Sequence, residues 1–343
     1  MQELDQHIKA FSLLGESLRT LTEDSDSATT DTGFLDMIQK AKAENPWFDE
    51  SNTKHALNAI GNLLTSESLN EWAKDYIISS KARTIGVIMP GNIPAAGFHD
   101  LLCVVFSGNR LKAKMSRDDS VILPYIKSFL TNVDEKYNEL ILFEDNLKDI
   151  DAVIATGSNN TFRYFDYYFS KYPHIFRKNR NSVAVITGNE NEFDFLLLSK
   201  DIFRYYGLGC RNVSKLFVPE DYNFDMMFHY ITSAADVMQH SKYMNNYDYQ
   251  RTLLLMNNIP FLTNNFLIVK EDPSLSSPVS VLHYEKYSDV LQLESLLEQN
   301  PNDIQCIVSK TEGPDWVSPG HAQLPTLGDY ADNIDTMKFL TTL

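Results

Sequence analysis

Three cysteines are spread through the 343-residue chain, Cys103, Cys210 and Cys306. Cys210 stands apart by its surroundings. It lies in "YYGLGCRNVSKLFVPE" (205–220), behind two glycines and ahead of a strand-like run that ends in proline. A lone cysteine is ordinarily a small buried hydrophobe, and Cys103 in the apolar helical run "HDLLCVVF" fits that description. Around Cys210 the glycines remove the side chains that would bury the sulfur and let another molecule approach the backbone. A thiol so placed can do covalent chemistry, its thiolate attacking a carbonyl carbon.

Three other segments carry groups of matching use. In "VIMPGNIPAAGF" (87–98), Pro90, Gly91 and Pro94 shape a rigid turn that presents Asn92. A turn asparagine tolerates tight backbone geometry; its amide is also a good donor to an oxyanion. In "GNRLKAKMSRDD" (108–119), Lys112 and Lys114 point to one face of a strand, and Lys114 sits at its carboxyl end, where doubly wound sheets bind ligands. In "IATGSNNTF" (154–162), Thr156, Gly157 and Ser158 join a strand to a helix N-terminus and offer N–H groups and a hydroxyl to a phosphate. An ordinary helix cap at Ser158 or Asn159 would look the same.

Several chemistries are excluded. "GLGCRN" begins like a dinucleotide-binding glycine motif, but it follows a helix, precedes a strand and lacks the third glycine. There is no GxxxxGK[ST] loop, no GxSxG elbow, and no CxxC or HExxH pattern, so no metal site is expected. The net charge of −16, from 30 basic and 46 acidic residues, opposes nucleic-acid binding. The best basic cluster, Arg177, Lys178 and Arg180 in "FRKNRN", reads as a solvated loop or a pocket wall. No apolar run is long enough to span a membrane, the N-terminus is an amphipathic helix and not a signal peptide, and the sparse cysteines imply a reducing cytoplasm.

The elements that must position these groups follow from periodicity. Residues 1–80 read as an N-terminal helical segment interrupted by a polar connection over 22–33. From residue 84, β-rich runs (84–89, 110–115, 139–143, 152–156) alternate with helices, the first from about Ala95, which indicates βαβ units and a parallel sheet. The rhythm restarts at 182–186, and "EFDFLLLSKDIFRYY" reads as a helix running directly to Gly207. Further strands fall at 214–218, 266–269, 279–284 and 305–308. The fold class is therefore α/β, with two doubly wound domains. A cofactor-binding domain would occupy 81–178, a nucleophile-bearing catalytic domain 179–325, and the tail 326–343 would pack back on the body.

Taken in order, the four segments resemble those of the aldehyde dehydrogenase superfamily. "VIMPGNIP" is similar to its Pro-Trp-Asn-x-Pro turn with Gly91 in place of tryptophan. "GNRLKAKMS" is similar to its Gly-Asn-x-x-x-x-Lys-Pro strand with Met115 in place of proline, "ATGS" to its Thr-Gly-Ser turn, and "GLGC" to its Gly-Gln-x-Cys nucleophile loop with Leu208 in place of glutamine. Two motifs of the aldehyde-oxidising members are missing. The glutamate that activates the deacylating water would fall near Arg177, and the Glu-x-Phe-x-Pro motif is reduced to "SLSSPV" (274–279). Within the superfamily, "NPWFDESN" and "GLGCRNVSKLFVP" resemble the LuxC-like acyl-CoA reductases.

That resemblance implies an enzyme in which Cys210 attacks an acyl-CoA thioester and Asn92, with the Cys210 N–H, holds the oxyanion. A hydride from NADPH would then release the aldehyde. Lys114 and Ser158, with Thr156, Gly157, Pro90 and Gly91 around them, would hold the cofactor, and a lysine near the ribose selects NADPH over NADH. An oxidative aldehyde dehydrogenase and a catalytically silent ligand-binding relative are the alternatives. No nucleic-acid partner is expected, and a homo-oligomer is allowed.

Overall fold

The structure, a computed structural model, describes residues 2–23, 31–78, 81–157, 159–313 and 316–343. Ser158 and most of the polar connection expected over 22–33 lie outside the described residues. The chain divides into two compact units, the first formed by residues 1–179 with 326–343 and the second by 180–325.

The first unit opens with four helices, α1 (Gln2–Glu23), α2 (Thr32–Glu44), α3 (Glu50–Leu63) and α4 (Ser66–Ala73). Their starts are written locally: the Asp31, Asp49 and Thr65 side chains each accept a hydrogen bond from a first-turn N–H. The α1 stripe of Ile8, Phe11, Leu14 and Leu18 is buried, as apolar residues three and four apart on one helix face require. Phe11 meets Phe106 and Tyr137 edge to face, at ring separations of 5.3 and 5.9 Å.

The helices cover a five-stranded sheet. Its elements are β1 (Thr84–Ile88), α5 (Phe98–Phe106), β2 (Arg110–Lys114), α6 (Ile122–Val133), α7 (Tyr137–Leu140), β3 (Ile141–Phe143), β4 (Ala152–Thr156), α8 (Asn159–Phe169) and β5 (His174–Arg177). Every pairing is parallel and the order is β3-β2-β1-β4-β5. The central strands "TIGVI" and "AVIAT" are near-continuous apolar runs, as strands covered on both faces must be. Three expectations are corrected here. Residues 139–140 close a helical turn, so the strand expected over 139–143 begins at Ile141. The helix expected from Ala95 begins at Phe98, because Ala95 itself holds a left-handed backbone with φ 56°. And "HIFR" is an edge strand that carries Arg177 into the interior.

The second unit contains β6 (Asn181–Val185), α9 (Glu192–Phe203), β7 (Val213–Pro219), α10 (Asp225–Tyr230), α11 (Ser241–Met256), β8 (Leu262–Thr263), β9 (Ile268–Glu271), β10 (Val281–Tyr287), α12 (Val290–Glu298), β11 (Ile304–Ser309) and β12 (Trp316–Val317). The sheet order is β12-β11-β6-β7-β10-β9-β8, parallel except for the β8–β9 pair. An Asn191–Asp194 capping box starts α9.

The chain then returns to the first unit, where α13 (Thr336–Thr341) follows α12 in sequence. Tyr330 of this return accepts a hydrogen bond from Trp72 Nε1 at 2.8 Å, and the His99 ring bonds to the Leu327 carbonyl at 3.0 Å. No helix among the described residues is long and apolar enough to cross a membrane.

Candidate active site

Cys210 is the exposed cysteine of the three; Cys103 and Cys306 are buried. Burial pushes the Cys306 thiol upward and the Cys103 thiol well upward, so both are held as neutral thiols. The exposure of Cys210 follows from how α9 ends. The helix stops at Phe203, not at Gly207, and Arg204–Gly207 form a tight 3-10 turn. In that turn Tyr205, Tyr206 and Gly207 take left-handed φ values of 52°, 57° and 78°. Two tyrosines in that region carry strain that only the surrounding contacts can hold.

Asn212 supplies those contacts. Its amide nitrogen donates to the carbonyls of Asp201 at 2.9 Å and Arg204 at 2.8 Å, while its amide oxygen accepts the Gly209 N–H at 2.8 Å. One buried side chain thus clamps the nucleophile loop onto the last turn of α9. On the other side, Ser182 Oγ donates to the Cys210 carbonyl at 3.0 Å and lies 3.0 Å from Cys306 Sγ. Asp201 completes the frame: fully buried, its carboxylate accepts the N–H groups of Gly320 at 2.6 Å and Ala322 at 3.1 Å. Burial pushes this carboxyl up to about 6.

Two carboxylates of this unit, Asp201 and Glu190, are engaged locally. Asp201 has both oxygens engaged by backbone. Glu190 follows the carboxyl end of β6, whereas Cys210 precedes the amino end of the parallel neighbour β7, so the sheet's length separates them. Glu190 is also spent on the N–H groups of Thr187 and Gly188. The segment 274–279, where a ribose-binding carboxylate would fall, is instead tied down by backbone acceptance: Ser214 Oγ donates to the Leu275 carbonyl and the buried Lys215 to that of Pro273, both at 2.7 Å.

In the first unit the remaining expected residues gather on one edge of the sheet. Asn92 is exposed on the turn after β1, Lys114 ends β2, Thr156 ends β4 and Gly157 follows it. With β1 lying between β2 and β4, this is the carboxyl edge at the point where strand order reverses, the place where open α/β sheets take ligands. Gly91 has no alternative: a Cβ there would lie 2.5 Å from both Cβ and Oγ of Ser116. That is why the tryptophan of the resembled motif has no room. The turn is held by Asp119, whose carboxylate accepts the Ala95 N–H at 2.8 Å and is pushed up to about 7 by burial.

The edge suits an anionic, hydroxyl-bearing ligand. Thr156 Oγ1 is buried with no hydrogen-bond partner among the described residues, and Lys114 is exposed at its strand's end. Lys112, on the same strand, is spoken for by the Lys148 carbonyl at 3.0 Å and Glu144 at 3.9 Å. Asn212, Asp201 and Asp119 were not singled out from the sequence. The asparagine two residues past the cysteine was the one legible signal.

No family model matches the chain, and no curated protein matches it. Solved structures do. An NAD-dependent aldehyde dehydrogenase from Sinorhizobium meliloti superposes with a TM-score of 0.64 at 10% identity, over 94% of this chain and 71% of that one. An NAD+ complex of an aldehyde dehydrogenase from Bacillus cereus gives 0.60 at 12% identity, over 91% and 72%. An acetylating aldehyde dehydrogenase from Geobacillus thermoglucosidasius gives 0.58 at 11% identity, over 91% and 76%. The fold is that of the aldehyde dehydrogenases.

Proposed function

We propose that this chain is a LuxC-like acyl-CoA reductase, converting a fatty acyl-CoA to its aldehyde with NADPH through an S-acyl intermediate on Cys210. The carrying observation is an exposed cysteine on a strained loop whose framing carboxylate, Asp201, has both oxygens held by backbone N–H groups. Aldehyde oxidation to acid needs a water-activating base; acyl transfer to and from coenzyme A does not.

In this reading the Cys210 sulfur attacks the thioester carbonyl, and the Asn92 amide and the Cys210 N–H hold the oxyanion. Coenzyme A leaves and the acyl group stays on sulfur. Thr156, Gly157 and Lys114 would hold the cofactor, with Lys114 for its adenosine phosphate, and Ser158, Pro90 and Gly91 are the further candidates. When bound, the nicotinamide supplies the hydride that reduces the acyl carbon. Collapse of the hemithioacetal then returns Cys210 to the thiolate.

The test is NADPH oxidation with a panel of acyl-CoAs from two to sixteen carbons, the product trapped as its hydrazone. Aldehyde formed in step with NADPH consumed supports the reading. Free acid formed from aldehyde and NADP+, with no reduction of any acyl-CoA, replaces it with the oxidative one, and neither activity leaves a ligand-binding relative.

A further inference from the structure

The buried carboxylate of Asp201 braces two loops at once. Through its carbonyl and Asn212 it holds the Cys210 loop. Through its carboxylate it holds Gly320 and Ala322. A second tie runs directly between the loops, from Arg211 NH1 to the Ala322 carbonyl at 3.3 Å. The residue between the two N–H groups that Asp201 grips is His321, and its side chain is exposed. Its Nδ1 lies 3.2 Å from the Pro319 carbonyl. A carbonyl only accepts, so Nδ1 must carry the hydrogen in that bond, which leaves the lone pair on Nε2. An imidazole whose outer nitrogen is a ready acceptor therefore stands on a loop pinned to the loop of the nucleophile.

We propose that His321 is the acid–base partner of Cys210. This rests on the acyl-transfer reading above. Nε2 takes the thiol proton as the sulfur–carbon bond forms, and the imidazolium returns it to the coenzyme A sulfur as the old thioester bond breaks. No net proton is consumed and no oxidation occurs in this step. A free thiol is only a few per cent thiolate at pH 7, so its attack gains from a base. Arg211 does not release a proton, while Asp201 is fully buried with both oxygens engaged. The charged groups around the two loops are Asp201, which interacts electrostatically with His321 and Lys200, and Arg211, which donates to the Ala322 carbonyl.

The experiment compares the full chain with His321→Gln and His321→Ala. Two readouts are taken: the pH dependence of Cys210 alkylation by iodoacetamide, quantified on the Cys210 peptide by mass spectrometry, and single-turnover coenzyme A release from an acyl-CoA without cofactor. His321→Gln should slow coenzyme A release by about 10²-fold or more, in the range typical of general acid–base assistance. It should also move the alkylation midpoint up towards that of a free thiol, about 8.5. Added imidazole should restore part of the release in His321→Ala, which a purely structural role would not allow. Alkylation curves that coincide in wild type and His321→Gln would overturn the pairing, as would slowed release with neither a shifted midpoint nor imidazole rescue. Should wild type release no coenzyme A while the variant still shifts the midpoint, the acyl-CoA reading fails and the pairing stands.

Discussion

The Arg177 guanidinium grips the Asp100 carboxylate through one nitrogen, 2.7 Å from each oxygen, and reaches Thr336 Oγ1 at 2.7 Å with the other; all three residues are buried. A basic residue that the sequence reads as part of a solvated "FRKNRN" loop or a pocket wall is therefore an interior charge on an edge strand. Removing Asp100 alone leaves that charge without its partner. Asp100→Asn should cost about 3–5 kcal/mol in urea denaturation, and Asp100→Leu combined with Arg177→Met should recover most of it. Equal losses in the single and double variants would show that the pair itself, not the stranded charge, matters.

Cys210→Ala should abolish acyl-CoA reduction and leave the fold intact, since a methyl replaces a thiol at an exposed site. Turnover should fall by well over a hundredfold, as for loss of a covalent nucleophile. In wild type, thiol labelling at pH 7 should reach Cys210 long before the buried Cys103 and Cys306, whose thiols burial pushes up. Equal labelling of all three under native conditions contradicts the assignment.

Asn92→Ala should lower kcat by roughly 10²-fold, the usual effect of losing one oxyanion donor, with a smaller change in cofactor affinity. Weakened cofactor binding with an unchanged chemical step would assign the side chain to binding instead.

An acyl-CoA given without cofactor should release about one equivalent of coenzyme A per site and then stall as a thioester on Cys210. Water without a carboxylate base forgoes up to the roughly 10²–10⁴-fold that general-base help provides; free acid released by wild type but not by His321→Gln would assign that base to His321. Glu190→Gln should leave the stall unchanged, because Glu190 sits at the opposite end of the sheet and is engaged locally. Steady release of free fatty acid would expose a base elsewhere.

The buried His7 imidazole, bonded to the Tyr137 hydroxyl at 2.8 Å, is lowered to about 4 by burial first and Lys136 second. An unfolded chain protonates this histidine below about 6.5, while the folded one resists down to about 4. The native state therefore binds fewer protons in that window, so stability is full above pH 6.5 and is lost as pH falls through it. The loss should approach about 3 kcal/mol near pH 4. His7→Gln should flatten that part of the stability–pH curve in urea titrations at pH 7.5, 6 and 5.

Periodicity carried the fold a long way. Strands such as "AVIAT" and "TIGVI" are unmistakable because both faces are covered, and the order of strand, turn and helix implied parallel sheets. Residues whose burial is decided by distant partners were illegible: Arg177 looks like its neighbours Lys178 and Arg180 until β5 and Asp100 are in place. The end of α9 is hidden for a related reason: "RYY" has no helix breaker, and the contacts that hold its turn, the Asn212 clamp and the His240 and Tyr243 rings against Tyr206, come from elsewhere in the chain. At the site, the cysteine, the turn asparagine and the strand-end lysine announce themselves by type and glycine context. Asp201 and His321 do not, because a single acidic residue in a helix and a histidine after Pro-Gly acquire meaning only when 110 or more residues of chain fold back between them.

The return of residues 326–343 to the first unit sets an order of events on the ribosome. Thr336, Tyr330 and Leu327 complete the surroundings of Arg177, Trp72 and His99, yet all of 180–325 is synthesised in between. At about 5–20 residues per second, that interval lasts roughly seven to thirty seconds. For that time the nascent first unit exposes the apolar seat of α13, while the second, continuous in sequence, can finish first. The chain is thus expected to engage chaperones before release, and stop codons placed just before residue 326 should yield a protein that is captured or degraded even though its nucleophile loop is whole.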